Sequence, residues 1–240
     1  MGQLKLSQKV EKKLNGFNRL IKEAYKEGLI SVILYGSAAS GEFVDTHSNL
    51  NVLLVLKNTD LENLKKAAFA VNKFPMINPL FLTESYILRS LDIFPIEFLD
   101  MQENYQVLYG QDILKDINID TRNLRFQCEQ ELKVKLINLR QVFLMMYKDK
   151  AALCNLLFKS FTSVLHILRN VLRLKGKASP YNKEEILKAL ALEFQIDMNV
   201  WQKIWLAKNR QIKLNNKNAK ELFIKFVRDL ERIVDIVDRL

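Results

Sequence analysis

The sequence predicts an α+β protein in which a mixed sheet with helices is followed by an antiparallel helical bundle. Up to about residue 115, helical spacing alternates with short, dense apolar runs; from about Arg122 only helical spacing remains. Seven Gly and four Pro among 240 residues are too few for an all-β chain built on tight turns. Charge divides at the same place. Residues 1–115 carry 13 Lys and Arg against 13 Asp and Glu, whereas residues 116–240 carry 24 against 14, the whole of the net +10. Two halves with different electrostatics predict two domains, an α/β domain over 1–115 and a basic all-helical bundle over 116–240.

The elements follow in order. Residues 4–27 place Leu6, Val10, Leu14, Phe17, Leu20, Ile21 and Ala24 at helical spacing, with Gly28 as a stop. SVILYG reads as a buried strand ending at Gly36. NVLLVL, Asn51 to Leu56, reads as a second strand, with an apolar run too dense to be half-exposed. The connection GSAASGEFVDTHSNL is rich in small and turn-forming residues. A helix is expected over 60–73, with Asp60 and Thr59 competing to cap it. NPLFLT is a third candidate strand, 84–91 a short helix, and FPIEFLDM from Phe94 a fourth strand. Beyond Arg122, Leu124, Cys128, Leu132, Leu136, Leu139, Phe143 and Met146 mark a helix over 122–148, and another run spans about 151–174. Asn182, with Glu185 three residues on, starts the next helix. Helices near 183–193, 197–209 and 217–239 complete five with short connections, the pattern of an antiparallel bundle.

Composition excludes several classes. A chain 49% hydrophobic and 27% charged is not disordered in bulk. Cys128 and Cys154 lie in helical patterns without CxxC spacing, and two histidines are too few to complete a zinc site with them. Reduced thiols of a cytoplasmic protein are expected. The opening MGQLKLSQKVEKKL has no apolar core of a secretory leader, and the absence of a run of about 18 apolar residues predicts no membrane span.

The chemistry lies between Leu34 and Leu56, in LYGSAASGEFVDTHSNLNVLLVL. A strand ends in Gly36-Ser37, a turn of small residues follows, and positions 49 and 51 flank Leu50 at the start of the next strand. Alternate side chains of a strand share a face, so Asn49 and Asn51 project together. Two polar groups on one face, beside a Gly-Ser turn whose N–H groups can meet phosphates, form a nucleotide-triphosphate site. Such a site ordinarily carries carboxylates that hold Mg²⁺.

This segment resembles the signature of the nucleotidyltransferase superfamily, a Gly-Ser followed by an Asp-h-Asp pair. Gly36 and Ser37 match its first half, and Asn49 and Asn51 stand where the family has its two metal-binding aspartates. The family's third carboxylate comes from a later strand, for which Glu97 is the best match. ENYQVLYGQDIL is similar to a stretch of bacterial relatives in which an hLYG turn follows that strand, and LRFQCEQELKVKLINLRQVFL resembles the helical, HEPN-like domain of minimal and aminoglycoside nucleotidyltransferases. The resemblance implies Mg²⁺ and an NTP as cofactors, and transfer of NMP to an acceptor with release of pyrophosphate.

The departure is chemical. Asn has the shape of Asp without its charge, and one end of its amide is a donor. The expectation is a weakened or inactive nucleotidyltransferase that keeps a nucleotide- or partner-binding role. One alternative is an active Mg-dependent enzyme that draws on Glu97 and the loop acids Glu42 and Asp45. Another is a nucleic-acid-binding module using Lys203, Lys208, Arg210, Lys213, Lys217 and Lys220, a stretch without an acidic residue. His47 reads as a plain polar loop residue, His166 as structural, and Trp201 with Trp205 as one packed helix face. No RxxxxH ribonuclease motif occurs in the helical half. A homodimer through the bundle is compatible with each reading.

Overall fold

Four strands form one sheet in the order β3-β2-β1-β4: β1 (Leu29–Tyr35), β2 (Leu50–Leu56), β3 (Ile77–Leu82) and β4 (Tyr105–Gly110). The structure is a computed structural model that describes residues 6–41, 43, 49–146 and 148–240. The central β1 is antiparallel to both β2 and β4, while β3 runs parallel to β2, so the sheet is mixed. Loop positions Glu42, Asp45 and His47 lie outside the described residues.

Strand pleating divides the apolar residues between two faces. Val32, Leu34, Leu50, Val52, Leu54 and Leu56 join one core cluster with Leu14, Phe17 and Ile21 of α1 (Gln8–Tyr25). Helix α1 buries Val10, Leu14, Phe17, Ile21 and Tyr25, the four-three-four-four spacing of a single face. Each such side chain contributes roughly 1.5–3 kcal/mol of burial. Phe17 meets Phe74 edge-on, with ring centroids 6.2 Å apart. Ile33, Leu53 and Val55 project to the opposite face, in a cluster with Ile87, Phe98, Met101 and Leu114.

The connections carry the short helices. α2 (Ser37–Ser40) follows β1, and α3 (Leu61–Leu64) and α4 (Ala68–Lys73) cross from β2 to β3. Asp60 caps α3, accepting the N–H of Asn63 at 2.7 Å. α5 (Glu84–Ser90) and α6 (Pro95–Glu103) lie between β3 and β4. The last of these corrects the sequence reading. FPIEFLDM is helix α6, not a strand, because Pro95 sits in its first turn, where a fixed φ and a missing N–H suit a helix start. The fourth strand is instead YQVLYG itself, in the stretch read as a turn that follows a strand. Gly110 ends it at φ +78, where an added Cβ would stand 2.0 Å from the carbonyl oxygen of Ile30.

The chain divides into two units, Met1–Asp120 and Thr121–Leu240. The second is all-helical: α7 (Leu124–Met146), α8 (Lys150–Leu174), α9 (Lys183–Phe194), α10 (Met198–Lys208) and α11 (Asn216–Asp238). Asn182 caps α9, accepting the N–H groups of Glu184 and Glu185. Phe161, Trp201 and Phe226 meet in the core at centroid distances of 4.9–6.3 Å. Trp201 Nε1 donates to Asp229 Oδ2 at 2.9 Å, and both residues are buried. Trp205 is only half-buried. α8 has a stretch, Ala151–Leu174, long and apolar enough by length and composition to cross a membrane, though polar residues interrupt it. Its Leu153, Leu157, Phe161, Val164, Leu168 and Val171 are buried. A bundle's core helix has this same composition.

Candidate functional site

The end of β1 is shaped by glycine. Gly36 takes φ +74, a conformation that favours residues without a Cβ, and its N–H donates to the Asn104 carbonyl at 3.1 Å. Its own carbonyl accepts from the N–H groups of Ala39 and Ser40, both at 3.0 Å, which opens the single turn of α2. Gly41, at φ +81, closes that turn. Ser37 is therefore the first residue beyond β1, and it is half-buried.

The register aligns four polar side chains in one row across the sheet. Asn78 of β3 is paired with Asn51 of β2, Asn51 with Tyr35 of β1, and Tyr35 with Tyr105 of β4. On β2, Asn51 alternates with the residues of the α1 side and so shares the face of Leu53 and Val55. Asn49, two residues earlier and exposed, stands one residue before β2. Asn78 Nδ2 donates to Asn51 Oδ1 at 3.4 Å. That bond turns the Asn51 oxygen toward its neighbour and leaves its NH₂ for other acceptors.

The phenols at the other end of the row stay neutral. Burial pushes Tyr35 up to about 12. Tyr105 is also pushed up to about 12, first by desolvation and then by the hydrogen bond it donates to Asp112 Oδ2 at 3.1 Å. The row thus offers amide donors, amide acceptors and neutral hydroxyls, without a group that takes up a proton at neutral pH.

The structure separates the site residues read from the sequence. Gly36, Ser37 and Asn51 adjoin one another through the end of β1 and its pairing with β2, and Asn49 precedes Asn51 directly. Glu97 is half-buried in the first turn of α6, a helix that packs through Phe98 and Met101 on the face of the sheet that carries the row, and no strand register aligns it with the row. Asn78 was missed. Its strand was recognisable from NPLFLT, but its level against Asn51 depends on a parallel pairing across a helical crossover.

A crystal structure of spectinomycin adenyltransferase AAD(9) from Enterococcus faecialis with ATP and spectinomycin matches this chain at a TM-score of 0.64 and 13% identity, over 92% of this chain and 99% of that one. The chain has a nucleotidyltransferase-type fold. No protein-family model matches the sequence, and no curated protein matches it.

A nucleotidyltransferase-type fold implies a divalent metal, but the described residues of the site do not fit one. The polar row supplies two neutral amides, Asn51 and Asn78, where Mg²⁺ ordinarily requires one or two carboxylates. Among the described residues, no group of three or more His, Cys, Asp or Glu is placed to hold a metal ion.

The basic stretch of the second unit is also less uniform than its sequence. Lys203 and Lys213 line a cavity of about 390 Å³ together with Asn218, Lys225, Asp197 and Glu221. Glu221 pairs with Lys225 at 3.1 Å, so acids from the flanking helices interleave with the lysines. Burial lowers the pKa of Lys208, whose ammonium donates to the Phe158 carbonyl at 3.5 Å. His166 is exposed, and its backbone carbonyl accepts from Asn170 Nδ2.

Proposed function

We propose that this chain binds a nucleotide at the Gly36-Ser37 turn and the asparagine row, and that it has lost nucleotidyl transfer. The observation that carries the reading is the pairing of Asn51 with Asn78 beside Tyr35, a neutral hydrogen-bonding row on a nucleotidyltransferase-type sheet. Carboxylates beside a triphosphate repel it until a cation intervenes. Amides exert no such repulsion, and their N–H groups donate to phosphate oxygens. The Ser37 hydroxyl and the backbone of the turn add further donors. The same exchange removes catalysis, because no amide can accept the proton of an attacking hydroxyl. The structural neighbour was solved with ATP, which supports a nucleotide as the ligand class.

Pyrophosphate release from ATP and GTP tests the reading, measured with Mg²⁺ and with Mn²⁺ beside calorimetric nucleotide binding. Binding without release is expected. Release that disappears in Glu97→Gln would establish an active transferase instead. Absence of binding even at millimolar nucleotide would leave the fold as a scaffold for another partner.

A further inference from the structure

Helix α7 carries two apolar faces. Leu124, Cys128, Leu132, Leu136 and Leu139 are buried, yet Phe126, Val134, Ile137, Leu144 and Met145 are 62, 51, 53, 78 and 83% exposed. At 3.6 residues per turn these five fall within an arc of about 100°, opposite the buried row. Gln130 and Gln141 lie in the same arc and are exposed. A helix that serves only its own bundle needs a single apolar stripe, so the second face has a contact to make.

The order of residues on that face identifies the contact. Outward in both directions from the bond between Lys135 and Leu136 stand Val134 and Ile137, then Gln130 and Gln141, then Phe126 and Met145, with Leu144 beside the last. A two-fold axis imposes this mirrored order on an isologous antiparallel pair, since each residue must meet its counterpart from the other copy. We propose that α7 pairs antiparallel with α7 of a second copy of this chain. Val134 packs on Ile137 about the two-fold, Gln130 hydrogen-bonds Gln141, and Phe126 packs on Met145. The glutamine pairs fix the register, as polar residues do within helix seams.

Area and charge are both compatible with such a pair. The five apolar side chains expose on the order of 500 Å² per copy, roughly 1,000 Å² for two, the lower bound for a specific interface. The cations bordering the face are already neutralised within each copy. Lys133 pairs with Glu129 at 2.5 Å and with Asp238 at 3.0 Å, and Arg140 pairs with Glu231 at 2.7 Å. Bringing two faces together therefore opposes little unpaired like charge.

Sedimentation velocity of the full chain over a concentration series reads the association. A dimer is expected, and Ile137→Glu, at an exposed position, is expected to raise its dissociation constant at least about tenfold with unchanged circular dichroism. Oxidative cross-linking reads the direction. The double variant Phe126→Cys with Met145→Cys should give an inter-chain disulfide above the wild-type background, whereas each single variant should not. A wild-type chain that stays monomeric throughout would overturn the proposal. So would cross-linking of the single variants, which marks a parallel pair, or a failure of the double variant to cross-link.

Discussion

Asn78 on β3 donates its side-chain amide to the amide oxygen of Asn51 on β2, 3.4 Å away across a parallel pair of strands. Both side chains are neutral, and Asn49, also an amide, stands one residue before β2. Converting Asn49 and Asn51 to Asp should invert the site's response to metal. Free ATP should bind less tightly to Asn49→Asp/Asn51→Asp than to the wild type, by about tenfold for the roughly 1–2 kcal/mol of added repulsion. Mg²⁺ should then restore binding. Calorimetric titration of the double variant with and without Mg²⁺ checks this.

The bond between Trp201 and Asp229 anchors the second unit. Asp229 also accepts the backbone N–H of Asp197 at 3.1 Å and pairs with Arg232. Asp229→Ala strands the Trp201 Nε1 donor in the core and takes the acceptor from the Asp197 N–H, and urea denaturation should show a loss of about 3 kcal/mol. Trp201→Phe keeps most of the ring packing and should cost less than Asp229→Ala.

Gly110 tolerates no side chain. Its φ of +78 disfavours an L residue, and the built Cβ stands 2.0 Å from backbone rather than from a flexible side chain. Gly110→Ala should destabilise the first unit by about 3 kcal/mol or more, since β4 must leave its register with β1 to relieve the clash. Thermal melting compared with Gly176→Ala separates the clash from the backbone conformation, because Gly176 also has a positive φ but nothing within 4 Å of its added Cβ.

Alkaline stability follows from the phenols. Tyr35 and Tyr105 are held up to about 12, against 10 for an ordinary tyrosine. The folded state thus favours the neutral form. Its advantage is fully present below pH 10 and is lost as the pH rises from about 10 toward 12. Circular dichroism should show unfolding in that window, and Tyr35→Phe should shift the transition to higher pH.

These arguments draw unequally on what the sequence shows. The strands at SVILYG and NVLLVL stand out because buried strands need dense apolar runs, and the helices from Arg122 onward because their apolar period is sustained. Gly36, Ser37, Asn49 and Asn51 can be read from the sequence because they are near neighbours in the chain. Asn78 is not legible. Alternation fixes the face of a residue but not its level against another strand, and a helical crossover of variable length sets that level. FPIEFLDM misleads because a short apolar run suits either element. Pro95 followed by Glu97 in a first turn is a helix start that tertiary packing confirms.

Titration of the wild-type chain with ATP in EDTA and again in excess Mg²⁺ tests the central claim most directly. Asparagines where Mg²⁺ ordinarily requires carboxylates predict binding in EDTA that Mg²⁺ leaves equal or weaker. Binding that appears only with Mg²⁺ would contradict the account, because it would require a metal site that these asparagines do not supply.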